Sequence, residues 1–466
     1  MRVLIAGYGM AGARLAELLA ERDAGMEITV AGAETRPAYN RVLLPRLLSG
    51  ALAERDLRLH DDEWARRAGV TLRLGDEVSA VDRTARVARL AGGAPIPYDV
   101  LVLATGSRVV VPEIEGLLPN VPGVSVLRTV DDFLGVAEGV ADGVPVAVLG
   151  GGVLGVEAAL TLAGLDVPVT VVQPSGRLME RSLDEAGSAV LDGLCRRAGV
   201  STVLGRGAVR VYPGDGVKLD DGTFVPAGLV VLAAGVRPET SLAERAGLAA
   251  DSGILVDDRL RTADPRIHAI GDCARFGPVP AGLVAPAWAQ AEVLAEVLTG
   301  GDVRYEPPPA STRLRVGPVD LTTVGDPCAP TGEVLRFEDP AGGRYARLAM
   351  DGDRVAGAIL LGLPEAAAVV ADVHASGRAA PADRLSLMFG RALPGSRAET
   401  GALVCRCNGV TRESLVKAWR AGAADAAALT AATRAGTGCG DCAGRIAALA
   451  ETLRPKETTV EPAQDH

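Results

Sequence analysis

The chain has 466 residues, 48% hydrophobic and 23% charged, which is ordinary for packed globular domains, and its length predicts two to four of them. Its 57 Gly and 29 Pro follow no period, which excludes collagen and low-complexity disorder. A net charge of −10 with only 3% aromatic residues argues against both a nucleic-acid footprint and a base-stacking platform.

Residues 3–6 form an apolar strand that runs into a glycine turn, unlike a charged leader followed by an apolar stretch. The most apolar long window, 355–373, contains Pro364, Glu365 and Asp372 and cannot span a bilayer. A cytoplasmic protein with no membrane or nucleic-acid partner is expected. Seven cysteines, four of them near one end, do not make a secreted disulfide framework.

Gly7, Gly9 and Gly12 have the GxGxxG spacing between that strand and a helical pattern over 13–21. The first glycine makes the tight turn, the second lets a pyrophosphate approach the backbone, and the third lets helix and strand pack closely. A second strand over 28–31 leads to Glu34, 22 residues beyond Gly12, where a carboxylate can accept ribose hydroxyls. Gly150, Gly152 and Gly155 repeat the spacing after a strand over 146–149, followed by a helix ending near Gly164 and a strand over 167–172. Two such fingerprints predict two dinucleotide sites. At the second, Gln173 takes the place of the ribose-binding acid. It can bond a ribose without repelling a 2′-phosphate, and Arg177 is near in sequence, so NADH and NADPH both stay open.

The strand Tyr98–Ser107 ends in Ala104, Thr105 and Gly106, and it is echoed by Leu229–Pro238, which contains Gly235. A third strand from Ile267 presents Gly271 and Asp272. Together these motifs resemble the flavoprotein reductases that carry two dinucleotide-binding domains. The resemblance implies an α/β fold with two Rossmann-like domains, the second inserted between the halves of the first: residues 1–118, 119–240 and 241–302. It implies FAD at the first unit, with Glu34 on the adenosine ribose, Asp272 on the ribityl chain, and Thr105 and Gly106 against the flavin. It places NAD(P)H at the second unit, with Glu157 near the nicotinamide. Arg41, Ala104, Gly235 and Gly271 join the cofactor-binding set. Hydride transfer needs no acid or base from the protein, so no catalytic side chain is nominated.

Disulfide reductases of this type carry redox cysteines about 40 residues into the chain. Here residues 39–48 read YNRVLLPRLL and the first cysteine is Cys195, so thiol chemistry beside the flavin is excluded. Cys195, Cys273 and Cys328 stand singly and are expected to be buried small hydrophobes. Residues 303–392 predict a small α+β domain, with strands over 305–326 and 344–361, a hairpin turn at Asp351-Gly352 and a helix after Pro364. A linker over 393–401 follows, centred on Pro394-Gly395-Ser396, and the polar tail 455–466 is expected to be disordered.

Between linker and tail lie Cys405 and Cys407, then, after 31 residues, Cys439 and Cys442. Thiolate pairs at such short spacing chelate one site, holding an Fe–S cluster or zinc. The helical pattern over 443–453 would turn its N-terminus toward that anionic centre. The segments VCRCNGVTRESLVKAW and TRAGTGCGDC resemble the [2Fe–2S] domain of the bacterioferritin-associated ferredoxin type, which implies that the four cysteines ligate such a cluster in a domain over 402–454.

A domain of that type behind a two-nucleotide flavoprotein resembles the front half of assimilatory NAD(P)H nitrite reductase large subunits and the electron-transfer subunit of assimilatory nitrate reductases. AYNRVLLPRLLSG, GVSVLRTVDD, RLMERSLD and VGPVDLTTVGD fit the same family. The resemblance implies electron flow from NAD(P)H through FAD and the cluster to a molybdopterin nitrate reductase or a sirohaem nitrite reductase. No sirohaem-binding region is in the sequence, so nitrite reduction by this chain alone is not expected. Three other readings stay open: a general ferredoxin or rubredoxin reductase, the flavin subunit of an amine or opine oxidase complex, and a cluster-based redox or iron sensor.

Overall fold

The computed structural model describes residues 1–22, 25–119, 121–140, 143–277, 279–280, 282–329, 332–390, 403–405, 410–436 and 442–454. The stretches read as linker and tail lie outside these residues. The chain forms two compact units, Met1–Leu393 and Pro394–His466.

The first unit starts with β1 (Arg2–Ala6), α1 (Met10–Glu21), β2 (Glu27–Gly32), the short helix α2 (Pro45–Leu48), β3 (Val70–Leu74) and β4 (Val100–Leu103). Val3, Leu4, Ile5 and Ala6 are all buried, the run of apolar residues that a parallel strand covered on both faces requires. The chain then leaves for a second sheet of β5 (Val124–Val126), β6 (Val146–Leu149), β7 (Val169–Gln173), β8 (Val200–Leu204) and β9 (Leu229–Leu232). All its pairs are parallel, in the order β8-β7-β6-β9-β5, and α3 (Val153–Ala163) follows β6. The chain returns as β10 (Ile267–Ala269), which pairs with β4 and completes the parallel order β10-β4-β1-β2-β3. The outgoing and returning segments, Ser107–Val109 and Val236–Pro238, pair antiparallel to each other. The helix α4 (Val284–Leu298) packs on α1.

Five antiparallel strands follow: β11 (Ser311–Val316), β12 (Val319–Gly325), β13 (Glu333–Asp339), β14 (Arg344–Asp351) and β15 (Arg354–Leu361), in the order β11-β12-β15-β14-β13. The helix α5 (Pro364–Ser376) packs against β15 and β12. The stretch read as one strand over 305–326 is a hairpin turning at Gly317, whose φ is +51°. In the β14–β15 hairpin Asp351 pairs with Arg354, so Gly352 and Asp353 form the loop, one residue beyond the expected turn. The edge strand β13 alternates exposed and half-buried residues and carried no apolar signal in the sequence. Cys195 and Cys273 are buried as expected, but Cys328 is exposed. It lies in the polar turn after β12, where its N–H donates to the Asp326 carboxylate at 3.0 Å, and no core element covers it.

The second unit contains β16 (Leu403–Cys405), β17 (Val410–Thr411), α6 (Arg412–Arg420), α7 (Ala426–Thr433) and α8 (Ala443–Leu453). Thr411 caps α6 by accepting from the Ser414 N–H at 3.1 Å, and Asp425 caps α7 by accepting from the Ala428 N–H at 2.7 Å. Leu415, Leu429, Ile446 and Leu449 close a small core that also holds Cys405 and Cys442. Among the described residues no helix is long and apolar enough to cross a membrane.

Candidate functional site

The two glycine loops are built alike. Gly7 has φ +118° and Gly150 φ +119°, and a Cβ on either would overlap a backbone carbonyl, that of Ala104 or of Ala233. A Cβ on Gly12 would overlap the Gly7 carbonyl, and one on Gly155 the Gly150 carbonyl. The middle glycines differ: a Cβ on Gly9 or Gly152 meets no atom within 4 Å. The fold itself therefore demands the first and third glycines, whereas the second leaves open space in front of a helix. Gly9 and Gly152 are the N-caps of α1 and α3, and neither helix has a side-chain cap or an acidic residue in its first turn. Uncapped N–H groups facing a cradle with no side chain fit the pyrophosphate of a dinucleotide.

Parallel pairing brings Glu34, Ala104 and Gly271 to the same edge of the first sheet, because they follow the C-terminal ends of β2, β4 and β10. Glu34 accepts from the Tyr39 hydroxyl at 2.6 Å and from the Arg41 guanidinium. Arg41 also donates to the Arg128 carbonyl at 2.9 Å. The Arg128 guanidinium donates to Ser107 Oγ at 2.8 Å and lies 3.4 Å from Asp272 Oδ2, to which Ser107 donates at 2.7 Å. Burial holds this guanidinium below its ordinary range. Thr105 Oγ1 donates to the Glu239 carbonyl at 2.7 Å, and Gly106 takes φ +74°. The Gly271 N–H donates to Gln290 Oε1 at 2.7 Å in the interior, so α4 fixes the turn that presents Asp272. This edge offers carboxylate acceptors and backbone donors around an open cradle, a set that fits a sugar-containing dinucleotide.

Sequence reasoning missed Ser107, Arg128 and Gln290 as parts of this site. Arg128 lies in GVSVLRTVDD, a segment that fits the family but gave no sign of a role at this site. Gln290 did give one, as a polar residue among Ala287, Ala291 and Leu294 on the buried face of α4.

At the second loop, Gln173 ends β7, but its side chain is turned inward. Its Oε1 accepts from the Gly151 N–H at 2.7 Å, and its Nε2 donates to Ser175 Oγ at 2.6 Å. In this structure the amide braces the glycine loop. Arg177 is exposed, its guanidinium 3.4 Å from the Glu180 carbonyl. Gly235, at φ +97°, is exposed just beyond β9. Glu157 lies partly buried on α3, which packs against α2. Burial pushes its carboxyl up to about 7, with the Arg46 cation on α2 pulling the other way.

Cys405 ends β16 and Cys442 caps α8, both buried in one core, while Cys407 and Cys439 lie outside the described residues. Two buried thiols converging from separate segments suit a chelating centre, although among the described residues no three ligand-type side chains gather at one point. Just past the C-terminal end of β10, the Cys273 thiol donates to the carbonyls of Leu103 and Ile270, and burial pushes it up, which suits an inert core residue.

Comparison with known proteins adds three family matches. The model of the pyridine nucleotide-disulphide oxidoreductases matches residues 1–291, that of the rubredoxin NAD+ reductase C-terminal domain 309–369, and that of the BFD-like [2Fe–2S] binding domain 403–452. The NAD(P)H nitrite reductase of Bacillus subtilis (strain 168) is 31% identical over 455 residues, covering 95% of this chain and 56% of that protein. The assimilatory nitrate reductase electron transfer subunit of the same organism is 32% identical over 368 residues, covering 78% of this chain and 47% of its own. The chain thus spans about half the length of these curated relatives. The crystal structure of the ferredoxin reductase for the CYP199A2 system from Rhodopseudomonas palustris superposes with a TM-score of 0.76 at 28% identity, covering 84% of this chain and 100% of that one.

Proposed function

The chain belongs to the pyridine nucleotide-disulphide oxidoreductase family, and we propose that it oxidises NAD(P)H and relays the electrons to a partner reductase of nitrate or nitrite assimilation. FAD, NAD(P)H and a [2Fe–2S] cluster are its cofactors. The observation that carries the relay is where the cysteines stand. None lies in residues 39–48, where disulfide reductases of this type carry theirs, whereas four fall within 38 residues inside the [2Fe–2S] domain match. Electrons leaving the flavin therefore have a cluster to enter and no disulfide.

In this reading the loop at Gly7, Gly9 and Gly12 holds the FAD pyrophosphate, and Glu34 and Asp272 accept from its ribose and ribityl hydroxyls. Arg41 and Arg128 orient the two carboxylates, while Thr105 and Gly106 form the wall beneath the ring. Gly150, Gly152 and Gly155 hold the nicotinamide dinucleotide, and Gln173 shapes that loop from within. Glu157 and Arg46, on helices from the two halves of the fold, stand where the two dinucleotides would meet. When bound, the flavin accepts a hydride and gives up its electrons singly. The protein supplies position and exclusion of water. Cys405, Cys407, Cys439 and Cys442 hold the cluster, and a molybdopterin nitrate reductase or sirohaem nitrite reductase is the acceptor that the relatives' names suggest.

The test is composition and reduction together. Protein purified without oxygen should carry FAD and two irons per chain, and NAD(P)H should bleach both chromophores. One zinc with no iron, or a cluster that NAD(P)H leaves oxidised, would sink the relay.

A further inference from the structure

We propose that the outer face of α6, carrying Lys417 and Arg420 with Arg412 at its margin, docks an acidic protein electron acceptor. The proposal rests on the relay reading above, since it concerns where electrons leave the chain.

Charge is unevenly divided along the sequence. Residues 402–454 have seven basic and four acidic side chains, a net charge of +3, while residues 1–401 carry −11. In the first unit many arginines are neutralised locally: Arg2 by Asp99 at 2.8 Å, Arg14 by Glu292 at 3.0 Å, Arg36 by Asp131 at 2.6 Å and Arg206 by Asp221 at 2.8 Å. In the second unit Arg412, Lys417, Arg420, Arg445 and Arg454 are exposed, and none has an ion-pair partner among the described residues. Two of the three described acids there are already engaged in other ways or placed apart from α6. Asp425 caps α7, and Glu451 is near the end of α8.

Packing fixes which way α6 points. Leu415, Ala418 and Trp419 turn into the small core, which leaves Glu413, Lys417 and Arg420 on the opposite, solvent side, with Arg412 at its margin. Glu413 offsets one charge and leaves the face positive. Arg445 lies on the first turn of α8, three residues past Cys442, so a cation stands beside a proposed cluster ligand. Leu415, Ala418 and Trp419 share one core with Cys405 and Cys442, so an acceptor seated on the outer face is separated from that core by the thickness of one helix, ~10 Å. Acidic groups on the acceptor's surface would complete ion pairs that the chain itself does not make.

The arrangement predicts a sign. The Debye length is about 8 Å at physiological ionic strength, so contact charges outweigh distant ones. If the whole-chain charge of −10 controlled encounter, salt would speed reaction with an acidic acceptor by screening repulsion. If the face on α6 controls it, salt slows the same reaction.

The experiment uses the full-length holoprotein, NAD(P)H, and two probe acceptors, acidic cytochrome b5 and basic cytochrome c. Raising NaCl from about 20 to about 200 mM should slow cytochrome b5 reduction several-fold and should not slow cytochrome c in parallel. The double variant Lys417→Glu/Arg420→Glu should cut cytochrome b5 reduction at low salt by about tenfold and reverse its salt response, while NAD(P)H bleaches flavin and cluster as in the wild type. A wild-type rate that rises with salt, a variant as fast as wild type, or no cytochrome b5 reduction by protein whose cluster is bleached would each overturn the docking face. So would wild-type retention on duplex DNA at the same salt that the double variant abolishes, since that assigns the cations to a nucleic acid. Failure of the cluster to bleach is a separate result, and it counts against the relay itself.

Discussion

Of the glycines in the second loop, Gly152 and Gly155 differ by three positions and have opposite reasons to exist. At Gly155 an added Cβ would overlap the Gly150 carbonyl, so Gly155→Ala should destabilise the fold outright. At Gly152 the backbone is extended at φ −75° and the space is empty, so alanine fits without strain. Gly152→Ala should therefore melt within about 1 °C of wild type yet raise the KM for NAD(P)H about tenfold, because the methyl enters the pyrophosphate cradle. Steady-state kinetics beside thermal melts decides it, and an unchanged KM would remove the dinucleotide from this loop. Residues of this kind were legible in the sequence because a tight turn admits so few side chains. Ser107, Arg128 and Asp272 were legible only in part. Their contacts join positions 144 and 165 apart in the chain: the pairing of β4 with β10 brings Ser107 to Asp272, and Arg128 reaches them from the loop after β5 of the second sheet.

Elements add what single residues do not carry. The Rossmann strands could be read from their apolar runs, but β13 could not, since an edge strand with one half-buried face has a weak pattern. The packing of α2 on α3 was equally hidden, and it determines the behaviour of Glu157. Burial raises this carboxyl from 4.5 to about 7 against the pull of Arg46. A folded-state value above the unfolded one means that the native protein holds the proton more tightly. The stability contribution is then fully present below about 4.5 and is lost as pH rises through 7. Glu157→Gln should remove this loss. In urea titrations the variant should match wild type near pH 4 and exceed it by about 2 kcal/mol near pH 8.5, partial exposure screening some of the shift. Parallel curves for the two proteins at both pH values would show that Glu157 titrates as a solvated carboxylate. Arg46→Met should steepen the wild-type loss and move its midpoint upward.

At the scale of the molecule, the chain divides into two compact units, and the cysteines of the relay all belong to the second. The first unit has its own cores around both parallel sheets, and no residue of 402–454 belongs to them. Removing the cluster should therefore leave dinucleotide chemistry intact. Cys439→Ser/Cys442→Ser takes away two of four thiolates, and hydroxyls do not hold iron at such a site. The variant should retain FAD, be reduced by NAD(P)H at a rate within about twofold of wild type, and still turn over ferricyanide, which accepts electrons from flavin directly. Its transfer to a native partner reductase should fall to a few per cent, because the route from flavin to acceptor passes through the missing centre. Stopped-flow absorbance at the flavin band measures the first half of the relay, and a coupled assay with the partner measures the second. A variant that loses flavin reduction as well would show that the two units do not fold independently. A variant that reduces the partner at the wild-type rate would put the cluster off the electron path and favour a sensing role for the second unit.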